Sequence, residues 1–232
     1  MDPQRRAPVV TVLLIVINCL VFFYQVSLAP HAANSFVMEY GLVPAKISSA
    51  LAGTYHGTLG DALFPLFSSM FLHGGWLHLI GNMWFLWIFG GRVEDRLGSL
   101  LYLIFYIVCG LGSGIAQLLF SWGSNVPGIG ASGAISGVLG AYIVFFPYSR
   151  ILALVPLFVV WFTARIPAMV FIGLWFLLQF VSGVGSLSDP RTAHMGGVAW
   201  WAHVGGFLLG VLLALVIGGA SERRTVGYGN GY

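Results

Sequence analysis

Six apolar runs dominate this chain and limit what it can fold into. They cover roughly residues 8–29, 75–91, 97–120, 132–147, 167–184 and 199–218. Only 7% of the 232 residues are charged, whereas a typical soluble domain carries about 25%. An apolar helix satisfies its own backbone hydrogen bonds in lipid. We therefore predict an all-α membrane protein in which six helices cross the bilayer.

The first apolar run follows a short basic segment and has some features of a signal peptide. It is about 20 residues long, enough to span a hydrocarbon core of ~30 Å, and no clear small-residue cleavage site follows it. We therefore predict a retained first helix. The expected organisation is a cytoplasmic tail at residues 1–7, a helical bundle at 8–218 and a flexible cytoplasmic tail at 219–232.

The placement of lysine and arginine predicts the orientation. Threading six spans puts eight arginines on one side of the membrane and leaves only Lys46 and Arg191 on the other. Because positive residues concentrate on the cytoplasmic side, both termini are predicted to be cytoplasmic. The same threading puts all six histidines in the outer loops or in the outer half of the bundle. Chemistry that uses them is therefore expected near the outer face.

Three connections differ from a simple turn. Residues 151–166 are apolar but interrupted by prolines and Arg165, which favours an interfacial hairpin on the cytoplasmic side over a seventh span. Residues 30–74 form the longest connection, and their apolar patch at 63–72 is expected either to lie along the interface or to re-enter partly. The glycine-rich loop at 183–197, with His194 and Met195, is expected to be a mobile cap.

Composition argues against several other kinds of site. A net charge of +3 is too small and too dispersed for a nucleic-acid surface. The two cysteines, Cys19 and Cys109, lie in separate apolar runs and are expected to be packing residues. No His-Glu-x-x-His pattern occurs, and the carboxylates Asp61 and Glu94 are distant in sequence from His73 and His78. We therefore expect no metal and no cofactor, although four histidines were considered as zinc ligands: His73, His78, His194 and His203.

A serine opens the fourth apolar run within Gly130-Ala131-Ser132-Gly133. A serine at a helix start is more often an N-cap than a nucleophile. However, free backbone N–H groups and the helix dipole at that end would stabilise a developing oxyanion. Both interpretations of Ser132 remain open from the residues alone.

A histidine in the sixth run precedes a face of small residues. His203 needs a hydrogen-bond partner, since an unpaired polar group in hydrocarbon costs several kcal/mol. Gly206 and Gly210 follow it on one helix face, and Gly133 and Gly137 form a similar face after the serine. If the two faces pack together, Ser132 comes within reach of His203; glycines that serve only helix packing are the alternative.

His78 and Asn82 in the second run are spaced i and i+4 and therefore share one helix face. Their side chains offer N–H donors of the kind that an oxyanion hole uses. The alternative is an interhelical hydrogen bond that holds the bundle together, and such bonds average under about 1 kcal/mol.

Taken together, these motifs closely resemble those of the rhomboid intramembrane serine proteases. His78-x-x-x-Asn82, Gly130-Ala131-Ser132-Gly133 and Ala202-His203-x-x-Gly206-x-x-x-Gly210 agree with the family in order, helix and spacing. The segment at 90–98 is similar to the turn that ends the family's second helix. Two departures are the absence of a Trp-Arg pair in the first loop and Ser136, where some members carry a tyrosine that packs on the catalytic histidine.

The resemblance implies a six-helix rhomboid-like bundle that hydrolyses peptide bonds in or beside transmembrane segments of other membrane proteins, surrounded by membrane lipid. Ser132 would be the nucleophile and His203 the general base, and the Ser132 N–H, His78 and Asn82 would hold the oxyanion. Gly130, Gly133, Gly137, Gly206 and Gly210 would pack around the site. The aromatics Trp175, Phe176 and Phe180 are either gate residues or a lipid-facing stripe.

The short tails and the lack of a transit peptide favour a bacterial inner membrane, with the active site open to the extracytoplasmic side. Two other classes remain as alternatives. A catalytically inactive relative would bind transmembrane clients but would have less reason to retain Ser132, His203 and the donors together. A small transporter or channel would more often show intramembrane carboxylates or paired broken helices.

Overall fold

Helices account for most of the fold. The computed structural model describes residues 7–157, 160–188 and 199–227. Each of the six apolar runs contains a helix, because an uncharged apolar segment in lipid must satisfy its backbone groups internally. The helices are α1 (Val9–Ser27), α2 (Pro30–Tyr40), α3 (Pro44–Leu51), α4 (Leu59–Leu63), α5 (Pro65–Ser68), α6 (Trp76–Phe85), α7 (Gly91–Leu97), α8 (Ser99–Phe120), α9 (Ser132–Phe145), α10 (Ala168–Ser188) and α11 (Trp200–Gly227).

Several of these helices are long enough to cross a membrane. Among the described residues, four qualify by length and hydropathy: Val9–Ser27, Ser99–Phe120, Ala168–Leu187 and Trp200–Gly218. The segments Leu59–Phe71 and Trp76–Leu97, bent by 76° relative to each other, pass the same test when taken together, as a broken span or a re-entrant loop. In the second of these, a π-helical turn at Leu86–Gly90 joins α6 to α7. The apolar helix α9 has 14 residues, about 21 Å at 1.5 Å per residue and shorter than a ~30 Å hydrocarbon core.

The all-α prediction is wrong for residues 150–167. Strands β1 (Arg150–Leu157) and β2 (Val160–Pro167) form an antiparallel hairpin in which Arg150 pairs with Pro167 and Leu157 with Val160. The segment contains three valines, two isoleucines and two phenylalanines, residue types that favour strands. Pro156 would also interrupt the hydrogen bonds of a helix. The expected hairpin is therefore present, with strands as its two arms.

The connection at 30–74 is more structured than an interfacial patch. It contains α2 to α5 and a 3₁₀ turn at Ser69–Phe71. Thr58 begins α4 with a capping box, because its hydroxyl accepts from the Asp61 N–H while the Asp61 carboxylate accepts from the Thr58 N–H. An isolated bridge between Leu42 and Gly128 attaches this connection to the loop before α9. The connection therefore packs against the bundle.

Two helices end later than predicted. α10 continues to Ser188, past the expected end at 184, so the first residues of the proposed cap are helical. The rest of that cap, with His194 and Met195, lies outside the described residues. α11 continues to Gly227, past the expected bundle boundary at 218. A helix can continue beyond its apolar residues, so the end of an apolar run does not give the end of the helix.

Helix α9 lies in the core, between α8 and α11. Every residue from Gly133 to Tyr142 is buried. A Cβ at Gly206 would lie 2.1 Å from the Gly133 carbonyl oxygen, and one at Gly210 would lie 2.2 Å from that of Gly137. Helix α8 meets α9 at the same place, because a Cβ at Gly133 would lie 2.0 Å from the Ser113 hydroxyl of α8. The glycines therefore let α9 and α11 touch through their backbones.

A buried carboxylate ties three helices together away from these glycines. Glu94 of α7 is 2% exposed. It accepts hydrogen bonds from the Val10 N–H at 2.9 Å and from the Thr11 N–H and hydroxyl at 2.8 Å, at the start of α1. It also accepts from the Ser99 hydroxyl at 2.7 Å, at the start of α8. Four donors compensate the desolvation of this carboxylate.

Candidate active site

Ser132 and His203 meet at one end of the α9–α11 contact. Ser132 is the first residue of α9, and Ala131 occupies the N-cap position without a side-chain cap. The Ser132 Oγ lies 2.7 Å from His203 Nε2. Gly206 lies about one helical turn beyond His203 and touches the Gly133 backbone, which brings the two side chains together. The arrangement matches a nucleophile paired with a base.

The imidazole of His203 is held from several sides. The Oε1 atom of Gln179, on α10, lies 2.6 Å from His203 Nδ1. Two indole rings pack against the imidazole, Trp175 with a centroid separation of 5.7 Å and Trp200 at 6.4 Å. Ser136 makes a different contact, because its hydroxyl donates to the Ser132 carbonyl oxygen at 2.6 Å. Tryptophans therefore supply the aromatic packing on this histidine.

Gln179 was missed by sequence reasoning. It is 8% exposed and lies in the middle of an apolar helix, where an amide needs a partner. That requirement was the available signal. The sequence did not reveal the partner, because His203 lies on a different helix.

Two side-chain donors, His78 and Asn82, lie next to the backbone of Gly130. A Cβ at Gly130 would lie 2.8 Å from His78 Nε2 and 3.6 Å from Asn82 Nδ2. The φ angle of Gly130 is +127°, a conformation that other residues rarely adopt. Asn82 is buried, and its Nδ2 has no hydrogen-bond partner among the described residues. The backbone at Gly130 therefore runs directly past both side chains.

The His78 ring is oriented by the loop before α6. The Gly74 N–H donates to His78 Nδ1 at 3.3 Å, which leaves Nε2 to carry the proton of a neutral imidazole. The side chain of Gln25 on α1 fixes the same loop. Its Nε2 donates to the His73 carbonyl oxygen at 2.8 Å, and its Oε1 accepts from the His73 N–H at 3.3 Å. His78 thus presents a ring N–H donor toward Gly130.

Four of the polar side chains described above line one cavity of about 790 Å³ between α6, α9 and α10. Its other walls are mainly glycine and apolar residues, including Phe85 and Trp175. These two rings lie 6.5 Å apart and connect α6 to α10. The four side chains that share the cavity are His78, Asn82, Ser132 and His203.

The three aromatic residues considered as gates differ in position. Trp175 lines the cavity. Phe176 stacks on Phe207 of α11 with a centroid separation of 4.4 Å. Phe180 meets Trp201 edge to face at 6.3 Å and is 43% exposed. Of the three, Trp175 alone lines the cavity, and a gate role for any of them stays a prediction.

Chemically, the cavity combines a hydroxyl, a base and N–H donors. The Ser132 N–H lies in the first turn of α9, where backbone donors lack intrahelical partners. Within the described part of the chain, no three His, Cys, Asp or Glu side chains group as ligands for a metal ion. The two cysteines are free thiols outside the cavity lining. The arrangement is suited to acyl transfer through a serine.

Fold and site together define a helical integral membrane protein in which a half-buried serine meets a buried histidine. The family model described as Rhomboid domain matches residues 60–220. The chain belongs to the rhomboid family.

Similar proteins come from plants and bacteria. RHOMBOID-like protein 4 of Arabidopsis thaliana is 32% identical over 158 residues, covering 68% of this chain and 35% of that protein. Rhomboid protease GluP of Bacillus subtilis is 29% identical over 223 residues, covering 96% of this chain and 38% of that protein. Rhomboid protease GlpG of Yersinia pestis is 29% identical over 178 residues, covering 72% and 53%. The chain thus spans between about a third and a half of each relative's length.

Proposed function

We propose that this protein is an intramembrane serine endopeptidase that cleaves peptide bonds in or next to transmembrane segments of other membrane proteins. The observation that carries the proposal is the 2.7 Å contact between Ser132 Oγ and His203 Nε2 inside the cavity. The protease names of two relatives support the same activity.

In the proposed first step, His203 Nε2 takes the proton of the Ser132 hydroxyl while Oγ attacks the carbonyl carbon of the scissile bond. The protonated imidazole then gives its proton to the leaving amine, and the C–N bond breaks to leave an acyl-enzyme. A water molecule, deprotonated by the same nitrogen, attacks the ester carbon. The second product leaves as a carboxylic acid, and the proton returns to Ser132.

The negative charge of each tetrahedral intermediate would be held by three N–H donors: the Ser132 backbone, His78 Nε2 and Asn82 Nδ2. The unpartnered Asn82 amide supports this role, because a buried donor without an acceptor suits a ligand that forms only during the reaction. The Gly74 hydrogen bond to His78 Nδ1 supports the required tautomer.

The proposed substrate reaches the cavity sideways, between α6 and α10. The Phe85 contacts with Trp175 and with Phe171, at 6.5 Å and 6.0 Å, close that side. Both contacts are between aromatic side chains, which can separate. The substrate helix must unwind locally to expose its backbone, so we expect helix-breaking residues near the cleaved bond. Six spans, cytoplasmic termini and an extracytoplasmic opening in a bacterial inner membrane complete the proposal.

The activity is tested by cleavage of a model transmembrane substrate in detergent and by labelling with a fluorophosphonate. Wild type should cleave the substrate and be labelled. Both cleavage and labelling should be much slower in Ser132→Ala and in His203→Ala. Ser186→Ala is the matched control, since the Ser186 hydroxyl donates to the Gly183 carbonyl oxygen of its own helix and lies away from the cavity. Equal cleavage by wild type and Ser132→Ala would overturn the mechanism. A folded wild-type protein that is neither labelled nor active would favour the inactive client-binding alternative.

A further inference from the structure

Gln179 is a buried polar side chain beside the proposed catalytic pair, and the mechanism above does not use it. It lies on α10 and is 8% exposed, as is His203 on α11. Its Oε1 approaches His203 Nδ1 to 2.6 Å, on the side of the ring opposite the nitrogen that meets Ser132. Serine, imidazole and amide thus form one line across three helices.

The chemistry of an amide oxygen determines how the proton is placed. A carbonyl oxygen accepts hydrogen bonds and cannot donate, so the ring nitrogen facing it must carry the proton. A neutral imidazole protonated on Nδ1 leaves a lone pair on Nε2, which is the state that a general base needs. The contact also fixes the ring plane, together with the packing of Trp175 at 5.7 Å.

We propose that Gln179 is a positioning residue that holds His203 in the Nδ1-protonated tautomer and stabilises the imidazolium formed during the reaction. This inference rests on the proposed function. It places a neutral amide where serine proteases with a triad use a carboxylate. An uncharged acceptor avoids the cost of burying an ion in lipid. It orients the imidazole as a carboxylate does but stabilises the imidazolium less.

The position of Gln179 also links the histidine to α10. Among the four long apolar helices, α10 has the smallest buried share. Ser132 and His203 are held by the glycine contact of α9 with α11, which does not involve α10. A displacement of α10 would therefore remove the acceptor from Nδ1 while leaving the serine and histidine together. His203 is a fully oriented base only when α10 is docked.

The test compares Gln179→Leu, which keeps the size but loses the acceptor, with Gln179→Glu, which keeps an acceptor. Gln117→Leu is the matched control, because Gln117 is a partly buried amide that accepts from the N–H of Ala202, next to the histidine, at 3.2 Å. The first readout is ¹⁵N NMR of histidine-labelled protein in micelles, with the His203 signals assigned from His203→Ala. The second is the rate of fluorophosphonate labelling of Ser132 as a function of pH.

We expect wild type and Gln117→Leu to show the Nδ1-protonated tautomer and Gln179→Leu a mixture of tautomers. Labelling of Gln179→Leu should fall about 10- to 100-fold, less than the ~10⁴ lost when a triad carboxylate becomes an amide. The acid limb of the pH profile of labelling should move to lower pH in Gln179→Leu, because the imidazolium loses an acceptor. In Gln179→Glu it should move to higher pH, because a carboxylate stabilises the imidazolium more.

An unchanged tautomer in Gln179→Leu would overturn the inference. Labelling of Gln179→Leu at the wild-type rate, with an unchanged pH profile, would overturn it as well. If wild type is not labelled at Ser132, the proposed function fails. The NMR comparison still decides whether Gln179 sets the tautomer.

Discussion

At the scale of single residues, the cavity brings together side chains that are expensive to place in lipid. Ser132 and His203 satisfy each other, and Gln179 satisfies the second nitrogen of the imidazole. Asn82 Nδ2 differs, because it is buried and has no partner among the described residues. Leaving a buried donor unpaired costs about 1–3 kcal/mol. We relate that cost to a proposed role that is fulfilled only when a tetrahedral oxyanion occupies the cavity.

The Asn82→Ala variant separates that role from structural adhesion. Because Nδ2 would bind the transition state and not the bound substrate, kcat should fall by roughly 10² to 10³ with little change in KM. The Tm in detergent should not fall, since no protein partner of Nδ2 is lost.

Asn18→Ala is the control, because Asn18 is buried in α1 and donates to the Leu14 carbonyl oxygen at 2.8 Å, away from the cavity. Its kcat should stay at the wild-type value. A lower Tm with unchanged kcat in Asn82→Ala would instead support an interhelical bond that holds the bundle together.

The sequence revealed these polar positions unevenly. Ser132 and His203 stood out because each precedes a pair of glycines at helical spacing, which predicts two faces able to pack. Gln179 had no such context. Its partner is 24 residues away on another helix, and only the three-dimensional packing brings them together. Sequence alone also gave no sign that Trp175 and Trp200 pack on the imidazole.

At the scale of elements, the contact between α9 and α11 determines where the serine and histidine lie. Backbone atoms meet at Gly206 and Gly210, so even a methyl group has no room there. Overpacking of this kind typically costs 1–3 kcal/mol. Here it would also push apart the helices that carry the proposed pair.

We therefore expect Gly210→Ala to lower the free energy of unfolding by about 1–3 kcal/mol and to slow the labelling of Ser132. Gly173→Ala in α10 is the matched control, because a Cβ there meets nothing within 4 Å. Thermal unfolding in detergent and fluorophosphonate labelling measure both effects. Wild-type stability and labelling in Gly210→Ala would show that the two helices can separate without consequence.

Long apolar runs predicted the main helices because charge is excluded from lipid over whole helical lengths. The same reasoning failed where tertiary contacts decide the conformation. The β1–β2 hairpin has an apolar composition close to that of a helix, and strand pairing distinguishes them. The short helices α2 to α5 depend on attachments such as the bridge between Leu42 and Gly128.

At the scale of the whole molecule, the arginine distribution predicts which loops face the cytoplasm. The connection at 30–74 is expected outside and the segment around residue 148 inside. This orientation would place the opening of the cavity on the extracytoplasmic side, because Gly74, which lines the cavity, belongs to the outer connection.

Single cysteines test the orientation. In a background with both Cys19 and Cys109 replaced by alanine, Thr54→Cys and Tyr148→Cys occupy exposed positions in the two predicted compartments. In intact cells, an impermeant maleimide should label Thr54→Cys and spare Tyr148→Cys. Solubilised protein provides the control, since both thiols should then react. Labelling of Tyr148→Cys alone in intact cells would reverse the topology.

The backbone contact between α9 and α11 also bears on how the protein responds to its bilayer. Helices packed through long side chains can slide or tilt past one another as bilayer thickness changes. Helices whose backbones touch have no such cushion and must tilt as one unit. We therefore expect Ser132 and His203 to keep their separation in thin and thick membranes, so that lipid composition would affect how a substrate reaches the cavity rather than the proposed cleavage itself.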